Sequence, residues 1–144
     1  LAYFEPRLDP VEIEEAVCLT EIVQYEASGE GWTGKQAVAN VALKRAEPNV
    51  HFPDSICEVL EFPNAFSHRL KGQDLSDINL AKPSDLNSYK ETLELVVTAI
   101  EGDLPDITDG ADHFYNPDYV NPSWAQNPLS LVDIGNHRFV QLYP

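Results

Sequence analysis

Residues 9–29 read DPVEIEEAVCLTEIVQYEASG, and one helix from about Asp9-Pro10 to Ser28 accounts for nearly all of them. Asp9 suits the N-cap, and Pro10 falls at the favoured first helical position. Glu12, Glu14 and Glu15 load the first turns with the charge that the helix dipole prefers, and Gly29 is the natural stop. At about 100° per residue, Ala16, Val17, Cys18, Leu19, Ile22, Val23 and Ala27 cover most of the circumference. Glu14, Glu21 and Tyr25 share the narrow remaining face. A helix apolar nearly all round is a buried one, so this segment is expected at the centre of its domain.

Glu26 breaks the pattern. It falls inside the apolar arc, four residues after Ile22 and seven after Leu19. A carboxylate there is costly unless it is paired or protonated. It also lies in the last turn, where the negative end of the dipole disfavours ionisation. Burial and dipole act in the same direction, so a raised pKa is expected, the profile of a general acid working near neutral pH. A structural glutamate capped by a buried arginine, or a frayed helix end exposed to solvent, are the competing readings. Glu30, one turn on, reads first as a solvated or loop-stabilising carboxylate.

Working outward, Thr33 to about Ala46 reads as a second helix, with Thr33 and Gln36 as a capping box and Lys44 and Arg45 at its cation-favouring end. Ala37, Val38, Val41 and Ala42 form a small-residue stripe for close helix approach. A short helix after Pro53-Asp54 carries Ile56, Val59 and Leu60. Residues 71–84 are polar and punctuated by Gly72 and Pro83, which predicts a surface loop. A fourth helix spans about Asp85 to Glu101, with Leu86, Tyr89, Leu93, Val96, Val97 and Ile100 on one face. Asp103, Asp106, Asp109 and Asp112 follow at spacings unlike an EF-hand and read as a solvated acidic loop. Phe114-Tyr115 and Arg138 to Tyr143 predict short strands of a small antiparallel sheet. The fold class is therefore α+β, mainly α.

The chain has 144 residues, with 9 Lys and Arg against 24 Asp and Glu, for a formal charge of −15. That balance argues against nucleic acid as a partner and against docking on an anionic membrane. No apolar run approaches the roughly 18 residues of a spanning helix, so no membrane insertion is expected. The length suits a single domain covering 1–144, read as an excised or processed piece because neither an initiating Met nor a signal pattern is present. Cys18 and Cys57 lie in apolar helical settings and are expected to be buried free thiols. His51, His68 and His113 lack metal-ligand spacing, so neither a metal nor another cofactor is expected. Phe66-Ser67, Tyr115-Asn116, Trp124 and Asn136-His137 offer the aromatic faces, amides and hydroxyls that line sugar clefts.

The stretch LTEIVQYEASGEGWTGKQAVANVALKR, residues 19–45, resembles the opening of the cell-wall hydrolase family typified by the spore cortex-lytic enzyme SleB. The family's motif is Tyr, one or two residues, then Glu-Ala-Arg-Gly-Glu, followed by a Gly-Gln-Ala-Val-Ala type of helix. FPDSICEVL, Phe66-Ser67, HFYNP, PSWA and IGNHRF follow in the family's order, so the likeness spans roughly Leu19 to Phe139. The resemblance implies a lysozyme-like, mainly helical catalytic domain that cuts peptidoglycan between N-acetylmuramic acid and N-acetylglucosamine, with lytic transglycosylase chemistry. It implies Glu26 as the catalytic acid; beside it, Glu30, Phe66, Ser67, Tyr115, Asn116, Trp124, Asn136 and His137 are the expected substrate-binding residues. Action on the cell wall by a monomer, without the family's frequent peptidoglycan-binding repeat, is the accompanying expectation. Two departures stand out: Ser28 replaces the motif's arginine, and Val140 stands where an aromatic commonly follows. A hydrolase with Glu30 or Asp112 as second carboxylate, or an inactive glycan-binding or phage structural module, are the alternatives.

Overall fold

The computed structural model describes residues 2–144 and contains five α-helices and a three-stranded sheet among them. Helix α1 spans Pro10–Ala27. Its start is a full capping box: the Asp9 carboxylate accepts the Glu12 N–H at 2.8 Å, and the Glu12 carboxylate accepts the Asp9 N–H at 3.0 Å. As the apolar girth predicts, α1 is the central element. It packs against α2 (Gly31–Ala46), α3 (Ile56–Glu61) and α5 (Pro83–Ile100), and its Ala16, Leu19, Ile22 and Val23 are essentially inaccessible. The stripe of Ala37, Val38, Val41 and Ala42 on α2 is buried as expected.

Several boundaries move, each for a local reason. Helix α1 stops at Ala27 and α2 begins at Gly31, two residues before Thr33. The turn is made at Gly31, whose φ of 73° places it in the left-handed region that suits glycine, and not at Gly29. Thr33 is therefore inside the helix and caps nothing. Gln36 instead sends its Nε2 to the Pro105 carbonyl at 2.9 Å, and Asn40 holds the same carbonyl at 3.1 Å. Helix α5 starts at Pro83, in the first position that proline favours. A one-turn helix, α4 (Ser67–Leu70), follows Phe66.

The two cysteines are not free thiols: Cys18 on α1 and Cys57 on α3 form a disulfide across 5.2 Å between Cα atoms. Packing of α3 on α1 brings together residues 39 apart in sequence. Closing a loop of that size constrains the unfolded chain, a contribution of about 4 kcal/mol in the loop-entropy account.

The sheet has the order β1-β3-β2, all antiparallel, with β1 at His113–Tyr115, β2 at Ser130–Ile134 and β3 at His137–Gln141. Strand β2, SLVDI, was not anticipated from the sequence. It pairs Val132 with Phe139 and joins β3 through a two-residue turn, Gly135-Asn136. Phe139 and Val140 are fully buried, so Val140 serves the core.

Candidate functional site

The C-terminal turn of α1, the bend into α2 and the β2–β3 turn enclose an open cleft of ≈ 240 Å³. Tyr25, Glu26, Ser28, Glu30, Asn116, Asn136 and His137 line it. The Glu26 side chain is half-buried and makes no hydrogen bond among the described residues. Burial pushes its carboxyl above the ordinary range, and the charge of Arg45 opposes that shift without cancelling it. Arg45 is itself buried, which brings its pKa down to about 10. Its Nε donates to the Asp112 carbonyl at 2.7 Å, and its guanidinium lies 4.9 Å from the Phe52 ring centre. Arg45 is thus a long-range countercharge rather than a partner of Glu26.

Glu30 lines the same cleft and is held by two hydrogen bonds. It accepts the Asn136 N–H at 3.1 Å and the Asn136 Nδ2 at 3.2 Å. His137 Nδ1 lies 3.2 Å from Glu30 Oε1 and is buried without a hydrogen bond among the described residues. Two glycines make room for this carboxylate. A Cβ on Gly34 would sit 2.5 Å from the Glu30 Cβ, and one on Gly135 would sit 3.1 Å from Glu30 Oε1. Glu30 therefore pins the hairpin turn onto the start of α2.

The remaining sequence candidates divide. Asn116, Asn136 and His137 reach the cleft, and Tyr115 stands beside it with Trp124 edge-on at 5.5 Å between ring centres. Trp124 is exposed and does not line the cleft. Phe66 belongs to the hydrophobic core, and Ser67 is exposed outside the cleft. Asp112, expected in a solvated loop, is buried: its carboxylate accepts the Leu142 N–H at 2.9 Å, the Tyr143 N–H at 3.0 Å and faces His113 Nδ1 at 2.8 Å. The strand pairing of β1 with β3 carries it inward, where backbone donors replace water. Asp103, Asp106 and Asp109 remain exposed, as expected of the loop.

Glu21 is the second departure. Placed by the helical wheel on the polar face, it is buried instead under α4 and the 71–78 segment. His68 Nε2 lies 2.7 Å away, Arg69 donates twice at 2.6 and 2.9 Å, and the Leu75 N–H donates at 3.1 Å. Burial raises its pKa, but the hydrogen bonds and charges of Arg69 and His68 more than offset that, leaving it below the ordinary range. Next to this network Tyr25 stacks on His68 at 3.9 Å and donates its hydroxyl to the Asp74 carbonyl at 2.6 Å. No group of three or more His, Cys, Asp or Glu side chains arranged to hold a metal occurs among the described residues. No helix among them is long and apolar enough to cross a membrane.

The family model for cell wall hydrolases matches residues 29–140. The chain belongs to the cell wall hydrolase family. The matched stretch takes in Glu30, Asn116, Asn136 and His137 and opens three residues past Glu26. Among the relatives of this chain, the spore cortex-lytic enzyme of Oceanobacillus iheyensis is 31% identical over 84% of the chain, and that of Bacillus subtilis is 30% identical over 85%. The chain spans 39% and 36% of those two proteins respectively. Among solved structures, the catalytic domain of the Bacillus cereus SleB protein superimposes with a TM-score of 0.69 at 28% identity, covering 89% of this chain and 91% of that one. The catalytic domain of the germination-specific lytic transglycosylase SleB from Bacillus anthracis gives 0.68 at 26% identity, covering 94% and 98%. The mainly helical fold with its small C-terminal sheet is the fold of those domains.

Proposed function

We propose that this cell wall hydrolase degrades peptidoglycan, cutting between N-acetylmuramic acid and N-acetylglucosamine as a lytic transglycosylase with Glu26 as its acid and base. The observation that carries the reading is the state of Glu26. It is a carboxyl in an open cleft, free of hydrogen bonds and held toward its protonated form by burial. The names of the similar proteins, spore cortex-lytic enzymes and a lytic transglycosylase, support the same chemistry. Under this reading the protein acts on the wall, outside the cytoplasm, as a monomer.

Protonated Glu26 donates its proton to the glycosidic oxygen while the bond from that oxygen to C1 of the muramic residue breaks. Positive charge develops on C1 and the ring oxygen. The Glu26 carboxylate then takes the proton of the C6 hydroxyl, and O6 closes on C1 to give a 1,6-anhydro sugar. The acid is regenerated and no water is consumed. A hydrolase would need a second carboxylate, about 5–5.5 Å away if retaining or about 6.5–9.5 Å away if inverting. Glu30 is held by Asn136, and Asp112 is spent on two backbone amides and lies outside the Glu26 cleft. Neither is free to activate water, which favours the single-carboxylate route.

The test is clearing of purified peptidoglycan by the wild type beside Glu26→Gln, with the soluble products weighed. Clearing by the wild type alone, with anhydro-muropeptides released, is expected. Products heavier by one water would overturn the transglycosylase step while keeping the lytic one. No clearing across pH and salt would leave a glycan-binding module and overturn the enzyme.

A further inference from the structure

Lys35, near the start of α2, is fully inaccessible, yet its ammonium has three acceptors, one for each proton. Nζ donates to the Ser88 carbonyl at 2.7 Å, to the Ser88 hydroxyl at 3.0 Å and to the Glu91 carboxylate at 3.0 Å. An enclosed ammonium is costly unless its charge is matched and its donors are met, and both conditions hold here. The chemistry at Glu26 makes no direct use of this charge.

The contact does not end at Ser88. Its hydroxyl, while accepting from Lys35, donates to the Ser28 carbonyl at 2.6 Å. Ser28 caps the C-terminus of α1, two residues after Glu26 and two before Glu30. The last carbonyls of a helix have no intrahelical partner, and α1 has no basic residue in its last turn. The Ala27 carbonyl accepts the Glu30 N–H at 3.0 Å, and the Ser28 carbonyl is met from α5. A hydroxyl that accepts from an ammonium is polarised and donates more strongly. A charge inside the core thereby tightens a hydrogen bond at the rim of the Glu26 cleft. Any residue at position 28 presents the same carbonyl, so this brace does not depend on the side chain there.

We propose that Lys35 is a positioning residue for the acid: acting through Ser88, it fixes the bend at residues 28–30 and so holds the last turn of α1, with Glu26, in the geometry for proton transfer. This role rests on the function proposed above. Glu91 anchors the ammonium from the solvent side, and the link to the bend runs through the Ser88 hydroxyl. Misplacing a reacting group by about 1 Å costs up to about 100-fold in rate. Loosening the bend therefore acts on kcat and leaves binding nearly alone.

The test is steady-state cleavage of soluble peptidoglycan fragments by Ser88→Ala, Ser88→Thr, Glu91→Gln and Lys35→Met, each assayed well below its melting temperature. Ser88→Ala should lower kcat about tenfold with KM nearly unchanged, and Ser88→Thr, which keeps the hydroxyl, should restore it. Lys35→Met should lower kcat at least as far. Glu91→Gln, which spares the bridge through Ser88, should leave kcat nearly unchanged. Exchange of the Glu30 amide should quicken about fivefold in Ser88→Ala, the scale of one hydrogen bond. A kcat that Ser88→Ala does not lower would overturn the positioning role. So would a loss in Glu91→Gln as deep as that in Ser88→Ala, which would mark the network as merely structural. A rise in KM at constant kcat would make Ser88 a substrate contact and overturn it equally. A wild type that cleaves no peptidoglycan would overturn the function proposed above. Unchanged exchange at Glu30 would then overturn the brace as well, and quickened exchange would uphold it.

Discussion

Glu21 and Glu26 stand on the same helix, and the protein treats them in opposite ways. Glu21 is the more deeply buried, yet its pKa lies low, because Arg69, His68 and the Leu75 amide supply the charge and hydrogen bonds that water would have given. Glu26 keeps more exposed surface, yet the protein packed around it desolvates its carboxyl strongly, and its pKa lies high because no donor among the described residues reaches it and Arg45 acts only at a distance. Burial raises both; partners decide the outcome. One carboxylate is equipped to hold structure together and the other to carry a proton.

The largest expected effect follows from that difference. Glu26→Gln should lower the lytic rate by about 10²–10⁴-fold, the usual scale of a lost general acid. Its melting temperature at neutral pH should stay level or rise. A carboxyl whose pKa is raised by folding costs stability as pH climbs through its unfolded value toward its folded one, and glutamine removes that cost. A marked loss of stability instead would place Glu26 with Glu21 as a structural carboxylate.

Glu21→Ala should show the converse, a loss of about 2 kcal/mol in urea unfolding, below the range for fully buried pairs because Arg69 is about one-third exposed. Glu21 contributes stability above its unfolded pKa of about 4.3, and that contribution disappears as pH falls through its lower folded value. The gap between wild type and variant should therefore narrow in acid. A gap that stays constant down to full acid unfolding would remove the ion pair from the account.

Glu30 extends the comparison to a third carboxylate. Glu30→Gln keeps its shape but weakens its grip on Asn136, so activity should fall by less than about tenfold, and amide exchange at the Gly135-Asn136 turn should quicken. A loss as deep as that of Glu26→Gln would make Glu30 the second carboxylate of a hydrolase. The smallest effect is a displacement of a pH profile. Under the proposed mechanism activity needs protonated Glu26 and falls as pH rises past its raised pKa; removing the Arg45 charge with Arg45→Gln should then move that alkaline limb to higher pH. Movement to lower pH would contradict the countercharge role.

Much of the frame was legible because it is local. Asp9-Pro10 marks the start of α1 by capping chemistry, and the apolar girth from Ala16 to Ala27 marks α1 as central. Glu26 was legible as an anomaly within that girth. Thr33 was misread as a cap because the start of α2 depends on Gly31 and on Glu30 being anchored from the hairpin more than 100 residues away. The helical wheel places Glu21 on the narrow polar face but carries no information about α4, which folds over that face. Cys18 and Cys57, and Asp112 beneath Leu142 and Tyr143, were missed for the same reason.

By itself the sequence determined which segments coil, which helix is buried, and that a carboxyl would have to live on its apolar face. Those outcomes depend on contacts within a few turns of one chain segment, where periodicity and capping operate. Only the tertiary structure decided the company each polar group keeps: the disulfide, the donors around Glu21 and the glycine cradle of Glu30. Partnership across long separations is set by packing, and in a low-dielectric interior it is partnership that decides whether a charge is held or a proton is available to give.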